Sequence, residues 1–263
     1  MATRTESARD AGAASSIVAA LVRKARAAQK IYGRSTQAQL DEAVTAVGWA
    51  IMNPDHNRAL AELAVKDTGL GVVADKIVKN HRKTLGLLRD LQGAKSTGVI
   101  AEHPEQGLTE IAQPVGVVAA AVPSTNPAAT PANNIINALK CGNAVIVAPS
   151  PKGYSTCTLL LKYVHEELKR AGAPADLVQQ LPAPVTRELT NELMKQVDLV
   201  VVTGSQNNVR AGYSSGKPAL GVGTGNVAVI VDASADCADA ARKIVASKIF
   251  DNATSCSSEN AVI

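Results

Sequence analysis

Aromatic residues are almost missing from this sequence: one Trp, one Phe and four Tyr among 263 residues, 2 %. The core must therefore be built from Ala, Val, Ile and Leu, a composition that suits a parallel sheet covered by helices. Cysteines are few and far apart. Cys141, Cys157, Cys237 and Cys256 contain no Cys-x-x-Cys pair, which excludes a thioredoxin-type redox motif and a zinc knuckle. The four histidines are equally dispersed, so no metal site is predicted. No run of about 18 apolar residues occurs, and the N-terminus lacks the apolar centre of a secretory signal. A soluble, cytoplasmic protein with reduced thiols is expected, without a membrane contact. Neither the G-x-G-x-x-G fingerprint nor the Walker pattern is present.

Hydrophobic residues make up 46 % of the chain. A chain of this length buries roughly three quarters of its unfolded surface and needs no staples. The formal net charge is +4, with Lys and Arg scattered through helical stretches. That is a solvated surface with a mild pull on an anionic cofactor, and it does not point to nucleic acid.

Residues 1–14 are small and polar and are expected to fray. From Ser15 to Leu91 the pattern is helical. In "SSIVAALVRKARAAQKIY" the apolar stripe is read as Ile17, Leu21 and Ala25, with basic residues opposite. This helix is either the first of the fold or a targeting or encapsulation peptide. Asn53-Pro54 and "KDTGLG" punctuate the following helices.

Beyond "GAKSTGVI" the character changes. "TEIAQPVGVVAAAVPST" reads as a strand pair feeding the core. "VGVVAAAVP", "NAVIVAPS", "VDLVVVTGS" and "NVAVIVD" are short, apolar and Val/Ile-rich, with helical stretches between them. Alternation of this kind predicts βαβ units and an α/β fold: N-terminal helices, then a Rossmann-like parallel sheet with helices on both faces. Ligands of such sheets bind beyond the carboxyl ends of the strands. Those ends are Pro123-Ser124-Thr125-Asn126-Pro127, Pro149-Ser150-Pro151 and Thr203-Gly204-Ser205.

Thr203-Gly204-Ser205 leads from a strand into a helix, where amides and hydroxyls suit a phosphate; an ordinary turn has the same residues. Asn126 before Pro127 is either a helix N-cap or an amide donor aimed into a site. A lone Cys is usually a small buried hydrophobe, and Cys141, Cys157 and Cys237 are read that way. Cys256 differs, because Ser, Thr, Asn and Glu surround it in "FDNATSCSSEN". Such a setting can stabilise a thiolate. No His lies nearby in sequence to form a Cys/His pair.

"VPSTNPAAT", "VVVTGSQNN", "SSGKPALGVGTGNVAVIVD" and "FDNATSCSSEN", in this order and spacing, resemble the aldehyde dehydrogenase superfamily. They look most like its CoA-acylating branch, the acetaldehyde and sulfoacetaldehyde dehydrogenases. The resemblance implies that Cys256 is the nucleophile and that Asn126, with the Cys256 amide, forms an oxyanion hole. Ser124, Thr125, Pro149, Ser150, Thr203, Gly204, Ser205 and Gly223 would lie at NAD or NADP. A small aldehyde and coenzyme A would be the substrates, with no metal. Two positions depart from the hydrolytic branch. Its water-activating Glu is matched here by Val222, and valine accepts no proton. Its Lys before Pro-Ser is matched by Ala148, which leaves NAD against NADP open.

Members of the family continue past the cysteine. The resemblance thus implies a division into residues 1–238, the helices and NAD(P)-binding domain, and residues 239–263, the start of a catalytic domain. The 263-residue form is expected to be inactive alone, and the longer enzyme to be a homo-oligomer, dimer or tetramer. Two other readings stay open: a gamma-glutamyl-phosphate-reductase-like enzyme, and a nucleotide-binding module without catalysis.

Overall fold

The computed structural model describes residues 2–263, with side chains from residue 12 onward. Four helices come first: α1 (Ala2–Tyr32), α2 (Gln37–Met52), α3 (Pro54–Thr68) and α4 (Val73–Leu91). The boundary at Asn53-Pro54 and the end of α3 follow the predicted punctuation, and a capping box of Thr36 and Gln39 opens α2. The Asn53 side chain accepts from the amides of Asp55 and His56, with Pro54 in the first turn of α3. Gly69, left-handed at φ 66°, closes α3.

The backbone of α1 is helical from Ala2, within the stretch 1–14 expected to fray; residue 1 and the side chains before residue 12 lie outside the described residues. The buried stripe of α1 also departs from the predicted one and shares only Ala25 with it. Ala14, Val18, Val22, Ala25 and Ala28 are buried, whereas Ile17 is 40 % exposed. A stripe that mixes spacings of three and four follows the helix more closely than a strict spacing of four.

The strand pair expected to feed the core separates into two parts. β1 (Gly98–His103) and β2 (Leu108–Ala112) form an antiparallel ribbon of their own. Most of its residues are exposed. Only the second half of that stretch, β3 (Val117–Val122), enters the core. There follow α5 (Ala129–Lys140), β4 (Ala144–Pro149), α6 (Tyr154–Arg170), β5 (Val178–Gln180), α7 (Arg187–Gln196), β6 (Leu199–Thr203), α8 (Gln206–Tyr213) and β7 (Ala219–Val222). The five strands pair in parallel in the order β5-β4-β3-β6-β7. Every residue of β3 and β4 is buried, which is why these strands read as continuous apolar runs rather than alternations. Each such Val or Ile side chain contributes about 1.5–3 kcal/mol of burial.

β5 and β7 are unanticipated. One is three residues long, and the other alternates in burial at the sheet edge. Conversely, "NVAVIVD" yields β8 (Val227–Val229), which does not join the main sheet. It pairs in parallel with β9 (Glu259–Val262), across α9 (Cys237–Ile249). At the opposite edge of the main sheet Arg26 of α1 pairs with Asp198 at 2.9 Å. The same carboxylate oxygen accepts from the Val117 amide at 2.8 Å. One side chain thus ties α1 to the start of both central strands.

Candidate active site

The chain runs β3, β4, β5 in one direction across the sheet, then returns to β6 and β7 on the other side of β3. Right-handed crossovers then place α5 and α6 on one face and α7 and α8 on the other. The order reverses between β3 and β6, and the carboxyl ends of strands at such a reversal form a crevice. Register sets what lies there. Val122 is opposite Pro149, Ala121 opposite Val202, and Thr203 opposite Val222. Ser124, Thr125, Asn126, Ser150, Thr203, Gly204, Ser205 and Gly223 therefore share one edge. Pro149 is the last residue of β4 and is buried. Ala148 is 4 % exposed within the same strand. Gly153 packs directly on Pro127, where any side chain would collide with the proline ring, and so draws the β4 loop against the β3 loop.

Asn126 does not cap α5. The cap position is Ala128, with no side-chain hydrogen bond. The Asn126 amide nitrogen has only a 3.5 Å contact with Thr125 Oγ1, and its Oδ1 is buried without a partner. A carboxamide left so poorly satisfied in a crevice is costly to the fold, on the order of 1–3 kcal/mol. It is available to a ligand.

Ser205 turns out to be an N-cap: its Oγ accepts from the Asn208 amide at 3.3 Å. The Gly204 amide donates to the Val222 carbonyl at 3.0 Å, so it is not free for a phosphate as expected. The remaining donors are the first amides of α8, at Gln206 and Asn207, which have no partner within a helix. Space for a ligand does exist at Gly204. A methyl group there would meet only the Asn208 amide, at 3.6 Å. That gap, the α8 N-terminus and the Asn126 carboxamide are the groups of this edge that a dinucleotide would meet.

Cys256 is exposed. Gly225, in the loop after β7, lies so close to the Cys256 carbonyl that any side chain at 225 would overlap it. The Asn260 amide donates to the Gly225 carbonyl at 3.0 Å. Gly225 of "GVGTGN" thus seats the cysteine turn against the loop after β7, whereas Gly223 faces the Gln206 side chain at the start of α8. Of the other thiols only Cys157 is buried; Cys141 and Cys237 are exposed, which corrects their reading as buried hydrophobes. Burial pushes the Cys157 thiol up to about 12. Partial desolvation also raises Cys141, against the lowering effect of Lys140.

Just before Cys256 the backbone does something unusual. Asp251, Asn252 and Ala253 all have positive φ, at 50°, 52° and 58°. Left-handed backbone costs about 1–2 kcal/mol per non-glycine residue. A buried charge cluster holds this turn. The Asp251 carboxylate is fully buried and accepts four hydrogen bonds. They come from the Val72 amide at 2.9 Å, Lys76 Nζ at 3.2 Å, Lys79 Nζ and Thr254 Oγ1 at 2.6 Å. Its own amide donates to Asp75 at 2.8 Å. Gly71 (φ 75°) lies against the same carboxylate, where a side chain has no room. Removing one partner of a buried pair costs about 3–5 kcal/mol, comparable with the backbone cost of the whole turn.

The two partners respond differently. Burial raises Asp251, but hydrogen bonds from Lys79, Thr254 and Val72 outweigh it and leave the carboxyl below its usual range. Burial lowers Lys79 against the opposing effect of Asp251, and Lys76 and Lys83 add to the lowering. The carboxylate, with four donors, is the more firmly held charge.

Lys76 also donates to the Thr125 carbonyl at 3.4 Å. One buried ammonium therefore touches both the β3 loop that carries Asn126 and the turn that precedes Cys256. Sequence reasoning missed Lys76, Lys79 and Asp251. The signal was present in "VADKIVKNHRKT": Lys76, Asn80 and Thr84 recur at intervals of four, and with Lys79 they are the buried residues of α4. A buried helix face made only of polar groups marks a site or a switch rather than a core. Among the described residues no group of three or more His, Cys, Asp and Glu is arranged to hold a metal ion, and no helix is long and apolar enough to cross a membrane. The surface clefts between α2 and α4 and beside α6 contain none of the edge residues.

A family model described as the aldehyde dehydrogenase family matches residues 2–263. The sulfoacetaldehyde dehydrogenase (acylating) of Cupriavidus necator is 66 % identical over 96 % of this chain and 51 % of its own length. The crystal structure of an acetylating aldehyde dehydrogenase from Geobacillus thermoglucosidasius superposes with a TM-score of 0.90, at 38 % identity, over 96 % of this chain and 56 % of that one. A propionaldehyde dehydrogenase from Rhodopseudomonas palustris, solved with bound CoA and an acylated cysteine, has a TM-score of 0.82 at 32 % identity, over 93 % and 55 %. Solved relatives include forms with bound NADP+ and with bound CoA. The chain spans about half the length of the curated relatives it matches.

Proposed function

Because the chain belongs to the aldehyde dehydrogenase family, we propose that it supplies the cofactor edge and the nucleophile of a CoA-acylating aldehyde dehydrogenase. Its substrate is a short aldehyde of the acetaldehyde or sulfoacetaldehyde kind. The observation that carries this reading is an exposed Cys256 whose turn packs on Gly225 beyond β7, at the same end of the sheet as Asn126, whose amide nitrogen has only a 3.5 Å contact with Thr125 Oγ1 to hold it. Its identity of 66 % to an acylating sulfoacetaldehyde dehydrogenase supports the choice of branch.

The residues act as follows. The Cys256 thiolate attacks the aldehyde carbon, and negative charge develops on the carbonyl oxygen. The Asn126 amide and the Cys256 backbone amide donate to that oxygen; a donor of this kind is worth about 3 kcal/mol. NAD or NADP, held along Ser124, Thr125, Pro149, Ser150, Thr203, Gly204, Ser205 and Gly223, supplies the hydride acceptor. The acyl group remains on Cys256 as a thioester, and the thiol of CoA removes it. Val222, 52 % exposed, brings no base for water, so the thiol, intrinsically the better nucleophile, prevails.

Residues 1–238 and 239–263 are proposed as the cofactor domain and the start of the catalytic domain, with β8 and β9 joining them. The longer enzyme is proposed to be a cytoplasmic homo-oligomer. The 263-residue form is proposed to bind nucleotide without turnover. Cys256→Ala in the full-length enzyme tests the assignment. Aldehyde oxidation should fall by at least about a thousandfold, the scale for removal of a nucleophile, while nucleotide affinity stays near normal. Substantial oxidation by that variant would remove Cys256 from the chemistry. The exposed Cys237→Ala variant should be silent.

A further inference from the structure

We propose that Lys76 is a positioning residue for the reaction centre: its buried ammonium fixes the Asn126 loop relative to the Cys256 turn. The inference rests on the reading of Asn126 and Cys256 as oxyanion donor and nucleophile.

The two groups belong to segments far apart in the chain. Asn126 follows β3, and Cys256 follows α9 by way of the left-handed turn at Asp251–Ala253. Lys76, from α4, is 3 % exposed. Its Nζ lies 3.4 Å from the carbonyl of Thr125, the residue before Asn126, and 3.2 Å from Asp251 Oδ2. Neither contact is needed to satisfy the other cluster members. Asp251 retains Lys79, Thr254 and the Val72 amide without it. Lys79 reaches only the cysteine side, through Asp251 and through Thr254 Oγ1 at 3.2 Å. Burying a second ammonium beside an already paired carboxylate costs free energy, and the structure returns only one distinct contact for it, the Thr125 carbonyl. That contact couples the two loops.

An oxyanion hole is demanding about distance. Displacing a group by about 1 Å can cost a hundredfold in rate even when the chemistry is untouched. A lysine that touches both loops and neither substrate nor cofactor therefore acts on kcat through Asn126, and leaves nucleotide binding alone.

The test is a double-mutant cycle on the full-length enzyme with aldehyde, NAD(P) and CoA, using Lys76→Met and Asn126→Ala. Lys76→Met should lower kcat about ten- to a hundredfold, with the nucleotide KM within about twofold and the rate of Cys256 alkylation by iodoacetamide unchanged. In the Asn126→Ala background the same substitution should cost little further, because coupled residues are non-additive. Lys76→Gln, whose shorter amide reaches one loop but not both, should show the same pattern, and it serves if Lys76→Met does not fold. A kcat within about twofold of the parent, or penalties of Lys76 and Asn126 that multiply, would overturn the proposal, since independent sites are additive. The outcomes separate the two readings. If Asn126→Ala itself leaves kcat intact, the oxyanion assignment has failed. If Asn126→Ala is crippled and Lys76→Met and Lys76→Gln are not, only the positioning role has failed.

Discussion

Replacing Asn126 by Ala removes an amide that does nothing for α5, whose cap is Ala128. Stability and rate should therefore respond separately. The unfolding free energy should hold or rise, by up to about 1–3 kcal/mol, because a buried oxygen without a partner is removed. In contrast kcat should fall by about a hundredfold or more if the amide meets the developing alkoxide. Both are measured on one preparation of the full-length variant; a loss of stability with kcat preserved would restore the capping role. Gly204 gives a second test at the same scale. The space above it is open apart from the Asn208 amide, so Gly204→Val should fold and should weaken NAD(P) binding by about tenfold or more, the cost of about 1.4 kcal/mol of steric conflict. Calorimetry checks this, and unchanged affinity would place the dinucleotide elsewhere.

Elements were legible where their residues obey one local rule. The caps at Asn53 and Gly69 could be read from the chain because a proline and a left-handed glycine determine them within a few residues. β3, β4 and β6 were readable from unbroken Val/Ile/Ala runs. β5 and β7 were not, because three or four edge residues carry too little pattern to separate from loop. β8 looked like a fourth strand of the sheet, but nothing local tells a strand which partner it will find. The candidate site divides in the same way. Cys256, Asn126 and the strand ends were visible as polar residues in informative places. The Lys76–Asp251–Lys79 cluster was not, since it joins residues 175 and 172 positions apart. Asp198 illustrates a testable link between elements. Burial raises its pKa, but the Arg26 and Val117 hydrogen bonds and the Arg26 charge outweigh that and hold it below the ordinary 3.8. Its stabilisation is therefore fully present above the ordinary carboxyl value and is lost as pH falls through the lowered one. Asp198→Asn should cost on the order of 1 kcal/mol at neutral pH. The gap from the parent should close on acidification below about pH 4 in urea unfolding. A gap that stays constant down to pH 2 would mean the charge contributes nothing.

At the scale of the whole molecule, the parallel sheet brings three strand ends to one edge, and α4 carries a polar buried face from which Lys76 reaches the loop after β3. On the proposed reading, a thioester on Cys256 would wait for a thiol. Cys256 is held where Gly225 allows close approach, and Val222, at the end of β7, offers water no base. General-base help is typically worth about a hundred- to ten-thousandfold, so hydrolysis should lag far behind transfer to CoA. The most direct measurement is a stopped-flow record of reduced cofactor formed by the full-length enzyme, given sulfoacetaldehyde or acetaldehyde and NAD(P), first without and then with CoA. Without CoA the account predicts one rapid burst close to one equivalent per site, then near arrest, and with CoA it predicts steady turnover and acyl-CoA as the product. Sustained formation of free acid without CoA, at a rate comparable to that with it, would contradict the acylating assignment.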